Sequence, residues 1–195
     1  LDGYNAQILI MCAINAIMAL SVNMICGITG QLSLGQAGFM AIGAYSTIIL
    51  NETFGIPLVV AILIAAIITA IFGFLIGFPT LKLEGDYLAI VTLGFGEIIR
   101  VILVNLKKIT GGPNGKQFNT NLTFFDSPAF FVITLVLILI IIFVQNFIRS
   151  TYGRAILAVR EDEVAANANG VSVFKYKMIG FVIASFIAGI GGALY

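Results

Sequence analysis

The chain has 195 residues, of which 60 % are hydrophobic and only 10 % are charged, and ten basic against nine acidic residues leave a formal net charge of +1. Soluble domains average about 25 % charged residues, so this composition excludes a water-soluble globule and indicates a membrane protein. The balanced charge gives no electrostatic basis for nucleic-acid binding, and the absence of histidine removes a residue on which most zinc and hydrolase chemistry depends.

Hydrophobic runs predict six membrane-spanning helices. A span needs about 20 apolar residues, and long stretches without charge provide them. The predicted spans are 6–26, 31–50, 56–78, 87–106, 128–148 and 178–195. Continuous apolar runs such as 137–142 lack the alternation of a barrel strand, whereas helices satisfy their own backbone amides in lipid. The predicted fold class is therefore an all-α, polytopic transmembrane helical bundle.

A glycine-rich break at 27–30 separates the first two predicted spans, and the second span is polar without being charged. Two interpretations stay open. The polar groups bond neighbouring helices in a tightly packed bundle, or a broken helix lines a solute path, where irregular backbone is tolerated. The residues of this candidate translocation path are Gln31, Ser33, Gln36, Ser46 and Thr47.

Small residues predict close helix packing in the third and sixth spans. The third span contains a G-x-x-x-G pattern at 73–77, and the sixth repeats small residues at the same spacing at Ala184, Ala188 and Gly192. Such spacing places small side chains on one helix face, where backbones approach closely. We expect both faces to serve packing.

The fourth span contains two charges. Glu97 and Arg100 are three residues apart, so they are expected to form an intramembrane ion pair on one helix face. Charge within a membrane suggests function by default, but we favour a mutually neutralised pair that faces the bundle or lies near its end. Asp86 is expected in the first turn of this helix, where the helix dipole favours an acid.

Basic residues predict the orientation of the chain. The stretch 149–177 contains five of them, which places it in the cytoplasm. Counting the spans back from there places 79–86 inside and 51–55 and 107–127 outside. The five basic residues are Arg149, Arg154, Arg160, Lys175 and Lys177.

The stretch that follows the fifth span predicts one amphipathic helix. Ser150 or Thr151 is expected to cap a helix that runs to Asn169, and Gly170 supplies a left-handed stop. The apolar face of this helix consists of Tyr152, Ile156 and Val159. That face either packs on the chain's own membrane helices or docks in the groove of a partner.

The chain has no nucleotide-binding signature. A phosphate loop that included the run 111–116 would need glycine where Thr110 stands and serine or threonine where Gln117 stands. The run is therefore predicted to be a turn-rich external loop. The lack of histidine and of a catalytic acid pair within the spans argues against an intramembrane enzyme.

Five sequence blocks in this order closely resemble the LivM-type permeases of branched-chain amino-acid ABC transporters. The blocks are GQLSLGQAG at 30–38, GDYLAIVTLGFGEIIR at 85–100, TGGPNG at 110–115, YGRAILAVREDE at 152–163 and AGIGGALY at 188–195. The resemblance covers nearly the whole chain. It implies an ABC importer permease in which residues 1–195 form a single transmembrane domain that is incomplete at both ends.

The resemblance also implies an activity and partners. The expected activity is ATP-driven import of leucine, isoleucine or valine across the bacterial inner (plasma) membrane, with no catalytic residue, metal or cofactor in this subunit. The expected partners are a LivH-type permease subunit, two ABC ATPase subunits, an extracytoplasmic amino-acid-binding protein and the lipid bilayer. A urea or amide permease is the nearest alternative, and an ATP-independent channel or carrier is a more distant one.

The stretch 149–177 is similar to the coupling loop of ABC permeases, whose usual pattern is Glu-Ala-Ala-x-x-x-Gly. Ala165, Ala166 and Gly170 match this pattern, whereas Glu163 stands one residue early. The residues implied in ATPase coupling are Tyr152, Arg154, Ile156, Val159, Glu163, Ala165, Ala166 and Gly170.

Overall fold

A computed structural model describes residues 3–83, 85–112, 115 and 128–195. Most of the predicted outer loop, including parts of the run 111–116, lies outside the described residues. The described residues form helices and contain no strand. The helices are α1 (Gly3–Val22), continued by a π-helical turn (Asn23–Ile28), α2 (Gln36–Phe54), α3 (Leu58–Thr80), α4 (Asp86–Asn105), α5 (Lys107–Thr110), α6 (Pro128–Arg149), α7 (Thr151–Glu161), α8 (Glu163–Ala168) and α9 (Val173–Ala193).

Five of the six predicted spans correspond to helices that are long and apolar enough to cross a membrane. Among the described residues these are Gln7–Ile28, Leu58–Thr80, Asp86–Asn105, Phe130–Arg149 and Val173–Ala193. The remaining helix, α2, has 19 residues but is more polar, and it begins at Gln36 rather than at position 31. The predicted all-α polytopic bundle is confirmed.

Helix α9 lies at the centre of the bundle. It packs against α1, α2 and α3, while α4 packs on α2 and α6 packs on α1. Its small residues allow this crowding, since Ala184 and Ala188 are fully buried. The predicted small-residue faces are confirmed, because Gly73 of α3 lies directly against Ser185 and Gly77 lies against Phe181. The two glycines of α3 let its backbone approach α9 closely.

The outer faces of α4 and α6 are apolar and exposed. Ile90 and Leu93 on α4, and Leu135 and Leu139 on α6, are each more than half exposed. A soluble protein rarely exposes an apolar surface of this extent, which is typical of contact with lipid or another subunit. The two helices therefore form the periphery of the bundle.

The stretch predicted as a single helix over 150–169 is two helices. Ser150 caps α7 as expected, and its hydroxyl accepts a hydrogen bond from the Gly153 N–H at 3.2 Å. At Asp162 the backbone is extended, with φ −155° and ψ 109°, so the prediction of one continuous helix is wrong. The predicted left-handed stop at Gly170 is confirmed by its φ of +82°.

Removal of the Asp162 side chain should unravel α8. One carboxylate oxygen of Asp162 accepts hydrogen bonds from the N–H groups of Val164 and Ala165, both at 2.9 Å. Loss of such an N-cap destabilises a helix by about 1 kcal/mol. The Asp162→Ala variant should therefore exchange the amide hydrogens of residues 163–168 faster, as measured by mass spectrometry. Asp162→Asn, which caps equally well, is the control, and equal exchange in both variants would refute the capping role.

Candidate functional site

The chain leaves its helical path between α1 and α2. After the π-helical turn, Gly30 has a φ of +68°, and residues 30–35 run without helical structure until α2 begins. This segment is fixed by neighbours, because the Gln31 N–H donates to the Ile25 carbonyl at 3.1 Å and the Leu34 N–H donates to the Thr92 hydroxyl at 3.1 Å. Hydrogen bonds to the π-helical turn on one side and to α4 on the other thus fix the irregular backbone of this segment.

Three polar side chains at this break are buried and carry atoms without a hydrogen-bond partner among the described residues. Gln31, Ser33 and Gln36 are each at most 5 % exposed. Both amide atoms of Gln31, the Ser33 hydroxyl and Nε2 of Gln36 have no hydrogen-bond partner among the described residues. Such groups are unfavourable in an apolar interior, so they are available to a polar ligand. We call these three residues the polar break.

Ser21 joins the polar break from α1. Its hydroxyl donates to the Ala184 carbonyl at 2.7 Å and lies 2.8 Å from Oε1 of Gln36. A hydroxyl has one proton and cannot donate to both oxygens. Both contacts are satisfied when the Gln36 amide is turned by half a rotation, so that Nε2 donates to Ser21. The amide oxygen of Gln36 is then its free atom, an acceptor.

The other two residues of the predicted path lie apart from the polar break. Ser46 is half-buried, and Thr47 is buried with its hydroxyl donating to the Gly43 carbonyl at 2.9 Å. Thr47 is thus satisfied within its own helix. Ser46 lies ten positions after Gln36 on the same helix, a distance of about 15 Å. The structure therefore brings together three of the five predicted residues.

The predicted ion pair forms on α4. Nε of Arg100 donates to both carboxylate oxygens of Glu97 at 2.9 Å, which confirms that the two residues share a helix face. Their side chains are 67 % and 57 % exposed, respectively. The pair therefore lies on the outer surface of α4 rather than facing the bundle, and it is neutralised locally.

The apolar ridge of α7 packs on the chain's own helices. Ile156 and Val159 are each 1 % exposed, and Ala166 of α8 is also buried. This burial favours the first of the two interpretations of that ridge. Other residues implied in coupling point outward. The exposed members are Tyr152, Arg154, Glu163, Ala165 and Gly170.

Two long-range contacts of this segment were not predictable from sequence patterns. Glu163 Oε1 lies 2.5 Å from Nζ of Lys177, which ties α8 to α9. Arg160 Nη1 donates to the Gly27 carbonyl at 2.6 Å, across 133 positions in sequence. The sequence identified Glu163 and Arg160 only as charged residues of this stretch. Charge alone does not identify the group that each of them contacts elsewhere in the chain.

Five apolar helices of membrane-spanning length among the described residues define a multi-pass membrane protein. Among the described residues, no group of three histidine, cysteine or acidic residues is placed to hold a metal ion. A family model described as the permease component of branched-chain amino acid transport systems matches residues 4–195. The chain belongs to this permease family.

Curated relatives agree with this assignment. The chain is 38 % identical to the "High-affinity branched-chain amino acid transport system permease protein LivM" of Salmonella typhimurium, over 98 % of this chain and 52 % of the relative. It is 39 % identical to the Escherichia coli protein of the same name, over 92 % of this chain and 49 % of that protein. The chain thus spans about half the length of these two relatives.

A more distant relative is named for a different substrate. The chain is 26 % identical to the "Nucleoside ABC transporter permease protein NupC" of Lactococcus lactis, over 85 % of this chain and 58 % of the relative. No solved structure matches the chain.

Proposed function

We propose that this chain is part of the permease subunit of an ATP-driven importer of branched-chain amino acids in the bacterial inner membrane. The observation that supports it most is the polar break, where Gln31, Ser33 and Gln36 are buried, uncharged and carry polar atoms without partners among the described residues. A zwitterion with an apolar side chain needs neutral donors and acceptors that bind it weakly enough to release it. Broken helices supply such sites in many transporters.

The proposed orientation follows from one basic end of the bundle. Arg154 and Arg160 of α7 and Lys177 of α9 lie there. Lys82, beyond the end of α3, is at the same end, because its ammonium group lies 5.2 Å from the Phe78 ring, which in turn contacts Phe174 at 5.9 Å between ring centres. An excess of lysine and arginine favours the cytoplasmic side. We therefore assign α7 and α8 to the cytoplasm.

We assign the docking of the ATPase subunits to the exposed surface of α7 and α8. Val164 is 80 % exposed although it is apolar, and Tyr152 is 53 % exposed. The buried side of α7 fixes the segment to the membrane helices, so that a push on it moves them as a rigid body. The remaining proposed partners are a LivH-type permease subunit and an extracytoplasmic amino-acid-binding protein.

The docking assignment is tested with the complete transporter that contains this chain, reconstituted in liposomes. Val164→Asp places a charge on the docking surface, so the ATPase subunits should no longer co-purify and leucine uptake should fall at least about tenfold. Val164→Ile keeps the apolar contact and should remain near the wild type. Retention of the ATPase subunits by the Val164→Asp variant would contradict the docking assignment.

Competition in the same liposomes tests the substrate class. Excess leucine, isoleucine or valine should suppress uptake of labelled leucine, whereas urea, acetamide and nucleosides should not. Suppression by urea or a nucleoside would favour one of those permease types instead. Uptake that persists without the ATPase subunits would favour an ATP-independent carrier.

A further inference from the structure

Arg160 connects α7 to the end of the first membrane helix. Its guanidinium donates to the carbonyl of Gly27, which lies in the π-helical turn just before the polar break. The last carbonyls of a helix lack partners within it and carry the negative end of the helix dipole. A cation at this position is therefore both a hydrogen-bond donor and an electrostatic cap.

The aliphatic part of Arg160 also packs on the chain where it turns into the break. A Cβ atom on Gly30 would lie 2.7 Å from Cγ of Arg160, and Gly30 has a φ of +68°. Both the close approach and the left-handed backbone require glycine at this position. The aliphatic part of Arg160 and the lack of a side chain at Gly30 thus fit each other where α7 contacts the break.

Among the described residues, the bond to the Gly27 carbonyl is the polar contact that connects Arg160 to another helix. The only acidic group among the described ion pairs of Arg160 is Glu161, whose carboxylate lies 3.7 Å away. The separate Glu163–Lys177 pair holds α8 to α9, the central helix. Displacement of α7 relative to α9 would therefore pull on Gly27 and Gly30, immediately before Gln31.

We propose that Arg160 is a positioning residue that transmits movement of α7 to the polar break and so sets the exposure of that break during transport. This inference rests on the proposed docking of ATPase subunits on α7 and α8. Arg160 acts through the backbone of residues 27–30 and does not itself contact the solute.

The test uses the complete transporter in liposomes, with Cys12 and Cys26 replaced by alanine and a reporter thiol introduced as Leu32→Cys. Leu32 lies within the break, outside the three polar residues, and is 49 % exposed. In the otherwise unchanged transporter, ATP with vanadate should alter the rate of thiol labelling. In the Arg160→Gln variant this nucleotide-dependent change should disappear, and leucine uptake per ATP hydrolysed should fall at least about tenfold.

Two further variants separate transmission from a general structural effect. Arg149→Gln removes an exposed cation from the same end of the bundle and should keep the labelling change. Gly30→Ala should reproduce the uncoupling, because its methyl group displaces the arginine, and it should add little in the Arg160→Gln background. Independent, additive effects of the two substitutions would overturn the inference.

The outcomes distinguish this inference from the docking assignment. ATPase subunits that remain bound to the Arg160→Gln variant, together with lost uptake per ATP, support transmission. A normal labelling change in that variant overturns the inference, as does loss of the ATPase subunits, which would make Arg160 a docking residue. The docking assignment itself fails only if Val164→Asp leaves the ATPase subunits attached.

Discussion

The Gly192→Ala variant should melt at a clearly lower temperature than the wild type in detergent. A Cβ atom on Gly192 would overlap the carbonyl oxygen of Met40 and lie 2.7 Å from its carbonyl carbon. Because these are backbone atoms, α2 would have to move away from α9. Overpacking of this kind destabilises by about 1–3 kcal/mol. This corresponds to a fall in Tm of roughly 2–12 °C for a domain of this size.

The matched control is Gly94→Ala on α4. Apart from its chain neighbours and the adjacent backbone of α4, no atom of the described residues lies within 4 Å of the position that its Cβ would take. Alanine is a better helix former than glycine by up to about 1 kcal/mol, so the Tm of this variant should stay the same or rise. Equal losses in both variants would show that the contact between α2 and α9 is not the cause.

The Gln31→Leu variant should lose transport without losing stability. Gln31 is 5 % exposed, and neither of its amide atoms has a partner among the described residues. Leucine is similar in size, and removal of a buried, unpaired polar group avoids a penalty of about 1–3 kcal/mol. The Tm of the variant should therefore be maintained or raised. Leucine uptake by the reconstituted transporter should fall at least about tenfold.

Thr69→Val is the control for this experiment. Thr69 is also fully buried, but its hydroxyl donates to the Ala65 carbonyl at 2.8 Å within α3. Its removal should leave uptake near the wild-type rate. Normal uptake by Gln31→Leu would exclude this amide from the solute path, and a lowered Tm would mean that it serves packing instead.

The features that the sequence predicted well depend on local chemistry. Hydropathy determined the positions of five spans, because the cost of exposing polar groups to lipid dominates every other term. The pairing of Glu97 with Arg100 and the cap at Ser150 each involve residues three apart, whose geometry a helix fixes. The spacing of small residues likewise identified the faces of α3 and α9 that pack against each other.

The features that it missed depend on distant contacts. The start of α2 is delayed because Gly30 turns the chain and the Leu34 N–H bonds to Thr92, 58 positions away. The split at Asp162 reflects a side chain that caps a new helix instead of continuing the old one. For the same reason sequence identified Gln31 as polar in a span but gave no indication that its amide lacks a partner.

The central place of α9 has a consequence for biosynthesis. Helix α3 ends at Thr80 and α9 begins at Val173, so 173 − 80 − 1 = 92 residues lie between the two along the chain. At a translation rate of about 5–20 residues per second, α3 waits roughly 5–20 s before α9 is made, and α1 and α2 wait longer. During that interval their glycine and alanine faces have only one another, lipid or an insertase to cover them. The final packing of α1, α2 and α3 can therefore be completed only after α9 has been made.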